Sequence, residues 1–328
     1  MSNVHNILTV RNLNISISTG NGYLRVIKEV EFDLKKGTTI GIIGESGSGK
    51  SMLSKALLRL LPSDSKISGN IILSLTNEES LDILAISDDK LRTIRGKKIG
   101  YLSQEPSSSM NPVRKCGKQI FDALPDSLRA NVRKGNNRVL ELLELTGLNE
   151  PASVSDSYPH ELSGGMLQRV ALAAALSGEP DILIADEPTT ALDASSRIGI
   201  MKTISNLKKE MDLSTLLVSH DVDFIADWID DLMVMYLGQI VEFGVAENLY
   251  SSPAHPYTKA LMDVSKSYAL NSKPKSIRGD IPSIENQIEG CKFHPRCDNA
   301  QDKCSLEEPS IEKASHGGQK RCFFPVTT

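Results

Sequence analysis

The sequence predicts an α/β fold built on a mainly parallel sheet, with an inserted helical block and a small C-terminal cysteine-containing extension. Three observations carry this reading. The short β-branched, apolar run 39–43 feeds straight into a glycine-rich loop and then a helix. From Asp181 onward, strand-like and helix-like segments alternate, the pattern of a parallel sheet covered by helices. After about residue 265, Pro, Ser, Lys and Asn dominate until Gly290, and four cysteines then fall within the last 38 residues.

Residues 7–17 (ILTVRNLNISI) alternate apolar and polar side chains, as a half-buried strand does. A turn is predicted over 20–22 and a second strand over 26–34. Lys35-Lys36-Gly37 turns the chain into the buried strand 39–43, and a helix is expected from Lys50 to Leu61. Residues 67–75 read as a strand, and 101–103 closes the first half. From about 106 to 178 the pattern is mostly helical; RVLELLELTGL (138–148) has leucines at helical spacing and a glycine near its end. DILIAD and STLLVSH are expected as buried strands, and DLMVMYLGQIVEFG as a hairpin turning at Gly238. The tail after 265 has too little apolar material for a core of its own and is expected to need a staple such as a metal or cluster.

Composition excludes several functions. The chain has 328 residues, 40% hydrophobic and 24% charged, with a net charge of −4, so no global basic field holds a nucleic acid. Aromatics are only 5%, too few for a base-stacking platform. The most apolar stretch, 170–176, is far short of a membrane span, and the N-terminal MSNVHNILTV has no secretory pattern. The expected location is therefore cytosolic, with any membrane association made through partners.

Gly44-Glu45-Ser46-Gly47-Ser48-Gly49-Lys50-Ser51 matches G-x-x-x-x-G-K-[ST] between a buried strand and a helix, where a phosphate-binding P-loop must lie. Glycines let backbone N–H groups approach a phosphate without Cβ clashes, and the helix start adds partial positive charge. Lys50 is expected on the β- and γ-phosphates and Ser51 on Mg²⁺, against the plain alternative of a glycine-rich turn with a surface lysine. Asp186 and Glu187 end the apolar strand 182–185, where carboxylates of a parallel sheet face the ligand crevice. Asp186 suits Mg²⁺, through water, and Glu187 suits the role of general base toward the attacking water. The plain alternative is that the two acids cap the next helix.

Leu162-Ser163-Gly164-Gly165-Met166 with Gln168-Arg169, Asp193 in ALD, His220 in LLVSHD and Gln104 in YLSQEP complete an ordered set of motifs. Together with the P-loop and acid pair they resemble the ATP-binding cassette (ABC) ATPases over residues 7–265. Ser163, Gly164 and Gly165 open a helix, so their N–H groups form an anion site. The resemblance implies that this site meets the γ-phosphate held by another cassette, in a head-to-tail pair. It further implies Asp193 at that interface, His220 on the γ-phosphate, and Gln104 sensing Mg²⁺ and water while coupling to the transport subunit. Tyr23 is the nearest candidate to stack on adenine; a tyrosine packed on the core is the competing reading.

GESGSGKS, QEPSSSMNP, YPHELSGGMLQRV, DEPTTALD, YLGQIVEFG, HPYTKALM and GCKFHPRC resemble the oligopeptide/dipeptide (peptide/nickel) importer ATPases. That resemblance implies a cassette over 1–265, with a helical subdomain over about 106–178, and a C-terminal extension over 266–328. It implies a second, non-identical ATPase subunit, two transmembrane permease subunits, an extracytoplasmic substrate-binding protein, and a place on the cytoplasmic face of the membrane. QEPSSSMNP departs from the more usual QDPMTSLNP of the family, which bears on the docking surface more than on ATP chemistry. Cys291, Cys297, Cys304 and Cys322 are spaced C-x5-C-x6-C-x17-C, neither zinc-finger nor ferredoxin spacing. From the residues, a tetrahedral Zn²⁺, a [4Fe–4S] cluster and free thiols all stay open; the resemblance favours [4Fe–4S]. His294 is read as structural or as a replacement ligand, and Cys116 as a small buried hydrophobe.

The function these readings support is ATP hydrolysis, with ATP and Mg²⁺, powering uptake of di- and oligopeptides. A nickel or metal-chelate importer is the alternative. A soluble ABC ATPase acting on DNA or ribosomes is disfavoured by the single cassette with its modest insertion. The intact set of Lys50, Asp186, Glu187 and His220 argues against a non-catalytic module.

Overall fold

The computed structural model describes residues 5–20, 22–75, 79–190, 192–269, 276–285 and 288–326. Its strands, in chain order, are β1 (Asn6–Thr19), β2 (Gly22–Lys35), β3 (Thr39–Ile43), β4 (Lys66–Ser74), β5 (Ser80–Asp82), β6 (Ile99–Leu102), β7 (Ile182–Asp186), β8 (Ser214–Val218), β9 (Asp231–Tyr236), β10 (Gln239–Val245), β11 (Glu312–Lys313) and β12 (Gln319–Lys320). The chain divides into two compact units, one drawn from 1–35, 39–85 and 218–328, the other from 36–38 and 86–217.

In the first unit, β2, β1, β4 and β5 form an antiparallel sheet in that order. The alternation read in 7–17 is real: Leu8, Val10, Leu13 and Ile15 are fully buried. They pair with Leu34, Phe32, Val30 and Ile27 of β2. The change from even to odd positions between Val10 and Leu13 is a register shift, and Asn12 there has φ 45°. The predicted turn over 20–22 includes Asn21, which lies outside the described residues; Thr19 and Gly22 pair across it.

The same unit holds β3, buried at all five positions and paired in parallel with β9. β9 and β10 form the predicted hairpin, with Gln239 opposite Tyr236. Leu237 and Gly238 both take positive φ (42° and 79°), as a two-residue type I′ turn demands.

The extension is held to this unit by contacts that the sequence reading did not foresee. β12 pairs antiparallel with β10, and β11 with β12. Buried Glu242 of β10 accepts from His316 Nε2 at 2.8 Å and from the Ala254 and His255 N–H groups at 2.7 and 2.9 Å. Glu308 accepts from Lys28 Nζ at 2.5 Å and from Gln239 Nε2 at 2.6 Å. A segment poor in apolar side chains is thus held by strand addition and by charge-assisted hydrogen bonds.

In the second unit, β6 and β7 are parallel, with Ile99 opposite Ile182. The Ser214 N–H donates to Asp181 O at 3.0 Å, which brings the start of β8 beside the start of β7. The stretch read as mostly helical contains helices Pro106–Ser109, Cys116–Ala123, Asp126–Arg129, Val132–Leu145, Pro151–Asp156 and Gly164–Leu176. Helix Val132–Leu145 starts six residues before the predicted leucine run, because the Asn131 side chain caps it by accepting from the Lys134 N–H. Its leucine stripe buries Leu142 and Leu143, and Gly147 (φ 83°) follows its end. Cys116 is fully buried, and burial pushes its thiol up to about 11.

Candidate functional site

In the first unit, β3 delivers the chain into the glycine-rich loop. Gly44 has φ 152°, and a Cβ there would lie 2.3 Å from the Met235 carbonyl oxygen, so no other residue fits. Gly49 has φ 102° and forms the N-cap of helix Lys50–Ala56. A Cβ on Gly49 would come within 2.7 Å of Ile27 Cδ1. The helix is shorter than predicted: Arg59 takes φ 50°, and the Leu60 N–H turns back to Lys55 O at 2.8 Å. Lys50 is 5% exposed, and its ammonium donates to Gly44 O at 2.7 Å and Glu45 O at 3.0 Å. That amine is held against the loop, ready for an anion bound within it.

Two neighbours brace the loop. The β9–β10 turn does so through the Gly238 N–H, which donates to Ser48 O at 2.9 Å. The Glu45 N–H donates to the Tyr257 hydroxyl at 2.9 Å, and the Glu45 carboxylate pairs with Arg296. Tyr257 and Arg296 lie within HPYTKALM and GCKFHPRC, but their contacts with a loop more than two hundred residues upstream have no signal in those motifs. His220 is exposed just past β8; its neighbour Ser219 donates its N–H to Ile42 O at 3.0 Å, tying that loop to β3. Tyr23 is 51% exposed rather than packed on the core, and the Lys66 ammonium lies 3.6 Å from its ring centroid.

In the second unit, Asp186 ends β7 at 2% exposure, and Tyr101 Oη donates to its Oδ2 at 3.1 Å. Burial, with Asp186 alongside, holds the Tyr101 phenol well above its usual range, so it stays a donor. Glu187 takes φ 49°, a strained left-handed turn that re-aims its side chain. Its Oε2 accepts from Gln104 Nε2 at 3.0 Å and from Thr190 Oγ1 at 2.9 Å. The structure therefore brings predicted Gln104 and Glu187 together and adds Tyr101 and Thr190. Tyr101 faces Ile184 across the β6–β7 pair, two residues before Asp186, a placement that only the pairing creates.

The acids do not cap the following helix. Asp193 caps helix Ala194–Met211, its Oδ1 accepting from the Ser195 and Ser196 N–H groups at 3.0 Å each. Hydrogen bonds from Ser195, then Ser196, hold the Asp193 carboxyl well below the usual range. Ser163 is the N-cap of helix Gly164–Leu176 and accepts from the Met166 N–H at 3.4 Å. Ser163 and Gly164 are exposed, which leaves this helix start open to an anion. Arg169 points the other way, its Nη1 donating to Thr146 O at 2.5 Å.

Cys291, Cys297, Cys304 and Cys322 line one small, largely enclosed cavity of the first unit, with Phe293 and Phe324 among its walls. Burial pushes the thiols of Cys297 and Cys322 up to about 11 and about 12, and raises Cys291. The Cys291 N–H donates to Cys304 O at 2.8 Å. Among the described residues, no three His, Cys, Asp or Glu side chains converge tightly enough to hold a metal ion. His294 Nδ1 lies 2.9 Å from Cys291 O, a local backbone contact.

Comparison with known proteins bears on both units. An ABC transporter family model matches residues 27–190, and a model for the oligopeptide/dipeptide transporter C-terminal region matches 241–304. The dipeptide transport ATP-binding protein DppD of Escherichia coli is 34% identical over 98% of this chain and 97% of its own. The oligopeptide transport ATP-binding protein AppD of Bacillus subtilis is 35% identical over 97% of this chain and 96% of its own. Among solved structures, the ATP-binding cassette MJ0796, in a dimeric post-hydrolysis state with ADP and Pi, superposes with TM-score 0.63. It is 25% identical and covers 73% of this chain and 98% of its own.

Proposed function

The chain belongs to the ABC transporter ATP-binding proteins, in the branch that carries the oligopeptide/dipeptide C-terminal region, and from that premise we propose how its residues divide the work. It is an ATPase, the ATP-hydrolysing subunit of an importer of di- and oligopeptides. Among the described residues, no helix is long and apolar enough to cross a membrane, so passage of the peptide belongs to membrane partners.

In the first unit, the backbone of Gly44–Ser51 receives the phosphates, Lys50 neutralises the β- and γ-phosphates, and Ser51 ligates Mg²⁺. His220 contacts the γ-phosphate, and Tyr23 stacks on adenine, for which its half-exposed ring is suited. In the second unit, Asp186 would hold Mg²⁺ through water, and Glu187 accepts the proton of the attacking water as its oxygen bonds to the γ-phosphorus and the bond to the β–γ bridging oxygen breaks, releasing ADP and phosphate. Gln104 and Thr190 hold Glu187 Oε2, which fixes the plane of the carboxylate that meets that water. Ser163, Gly164, Gly165 and Asp193 serve a second cassette, consistent with the exposed helix start. The observation that carries the catalytic reading is the pairing of Gln104 with Glu187, two motifs far apart in sequence, at 3.0 Å. Phosphate release from MgATP by the full chain, with and without Glu187→Gln, tests it.

The proposed assembly is a non-identical ATPase partner, two permease subunits and an extracytoplasmic binding protein, with this chain peripheral on the cytoplasmic face of the membrane. The proposed division is a cassette over 1–265, its helical subdomain over about 106–178, and an extension over 266–328. For that extension we propose a [4Fe–4S] cluster held by Cys291, Cys297, Cys304 and Cys322. What supports this reading is that the four cysteines line one enclosed, phenylalanine-walled cavity; Zn²⁺ on the same four residues is the alternative. Bound there, such a cluster would supply a coordinative staple, or one-electron chemistry, to a segment with little apolar packing. Cys297→Ser is expected to remove visible absorbance near about 400 nm and most of the bound iron from anaerobically purified protein. Iron content equal to that of the parent chain would contradict the assignment.

A further inference from the structure

We propose that Arg296, carried by the cysteine-bearing extension, is a positioning residue for the phosphate-binding loop. Arg296 directly precedes Cys297, yet its guanidinium reaches Glu45, the first variable residue of the glycine-rich loop. Nη1 donates to Glu45 Oε2 at 2.6 Å and Nη2 to Oε1 at 3.0 Å, a bidentate pair. Nε donates to Arg278 O at 3.0 Å, which fixes the plane of the fork. The Arg296 side chain is 4% exposed and that of Glu45 20%, so water screens this pair far less than a surface ion pair.

Glu45 is held at three points. Arg296 takes its carboxylate, Tyr257 Oη accepts its N–H at 2.9 Å, and Lys50 Nζ donates to its carbonyl at 3.0 Å. Lys50 is the residue assigned to the phosphates, so the conformation of Glu45 is read directly by the amine that must meet ATP. The support is continuous with the extension: Phe293, three residues before Arg296, packs against Tyr257 and Tyr236 with ring centroids 5.2 Å away in each case.

Two physical effects act in the same direction. The bidentate fork fixes the rotamer of Glu45 and with it the backbone of the loop. The guanidinium also cancels a carboxylate that otherwise stands beside a polyphosphate and repels it. Removing either partner leaves the other charge in a poorly solvated place, so each single change disturbs the loop. Removing both does not add the two losses, because they report one interaction.

The inference rests on the loop being the nucleotide site, and the experiment separates the two claims. Binding of mant-ATP with Mg²⁺ is measured by fluorescence for the full chain and for Arg296→Ala, Arg296→Lys, Glu45→Gln and the double variant Arg296→Ala/Glu45→Gln. Steady-state ATP hydrolysis and thermal stability are measured beside it. Arg296→Ala is expected to weaken binding about tenfold and Arg296→Lys by a smaller factor, since lysine keeps charge without the fork. The double variant is expected to bind no more weakly than Arg296→Ala. KM for ATP rises with kcat changed by less than about twofold, the pattern of lost binding rather than lost chemistry. If Arg296→Ala does not fold, Arg296→Lys and Glu45→Gln carry the test. Unchanged affinity in the Arg296 variants, whatever their melting temperature, would overturn the proposal and leave Arg296 a staple of the extension. Fully additive losses in the double variant would overturn it too. Failure of the parent chain to bind mant-ATP would instead refute the nucleotide site itself.

Discussion

Glu187→Gln is expected to leave MgATP binding within about twofold of the parent chain and to lower turnover by about 10²- to 10³-fold. The geometry explains why the two properties separate. Glu187 Oε2 accepts from Gln104 at 3.0 Å and from Thr190 at 2.9 Å, and the amide oxygen of glutamine can accept both bonds in the same place. The strained turn at Glu187, with φ 49°, is a backbone property and is unaltered by the change from carboxylate to amide. What is lost, on the role proposed for Glu187, is the basic oxygen that takes the proton from water. Equilibrium binding of mant-ATP and phosphate release, measured on one preparation, check both halves. Hydrolysis above about a tenth of the parent rate would place the base elsewhere.

Gly44→Ala is expected to cost nucleotide affinity about 100-fold or more, although it adds a single methyl group. The added Cβ would sit 2.3 Å from the Met235 carbonyl oxygen and 2.7 Å from Ser48 Oγ. Met235 lies in β9, which pairs in parallel with β3, so its carbonyl is fixed by the sheet and cannot step aside. The loop must move instead, and its φ of 152° is a conformation that an L side chain rarely adopts. Moving Gly44 shifts the carbonyl that accepts from Lys50 Nζ at 2.7 Å, and the amine loses its place. Calorimetric titration with MgATP and a melting curve check this; affinity within about threefold of the parent would contradict it.

Phosphate chemistry makes much of the site legible in the amino-acid sequence itself. A loop that wraps a phosphate needs glycines and a lysine at fixed spacing, so residues 44–51 announce themselves within eight positions. The acids at 186 and 187 are legible because an apolar strand ending in carboxylates has few other uses. The residues that hold these groups are not legible, because their partners are made by folding. Tyr101 reaches Asp186 only through the β6–β7 pairing, Thr190 reaches Glu187 only through a strained turn, and Arg296 meets Glu45 from the far end of the chain.

Local elements show the same division. The β9–β10 hairpin is predictable from Gly238 and its apolar flanks. Two helix boundaries are not: Asn131 moves one helix start forward, and a left-handed Arg59 ends another early. The extension is readable as lacking a core of its own, which suggests a metal or cluster staple. That its support includes a strand added to β10 and an arginine on the phosphate loop has no signature in composition.

The measurement that tests the central claim most directly is ATP hydrolysis by this chain copurified with the proposed permease subunits, with and without di- and tripeptides and the proposed extracytoplasmic binding protein. Peptide is expected to raise the rate several-fold over the basal value in the parent complex and to leave the Glu187→Gln complex near background. Hydrolysis that ignores peptides, or that responds to a nickel chelate in their place, would contradict the account.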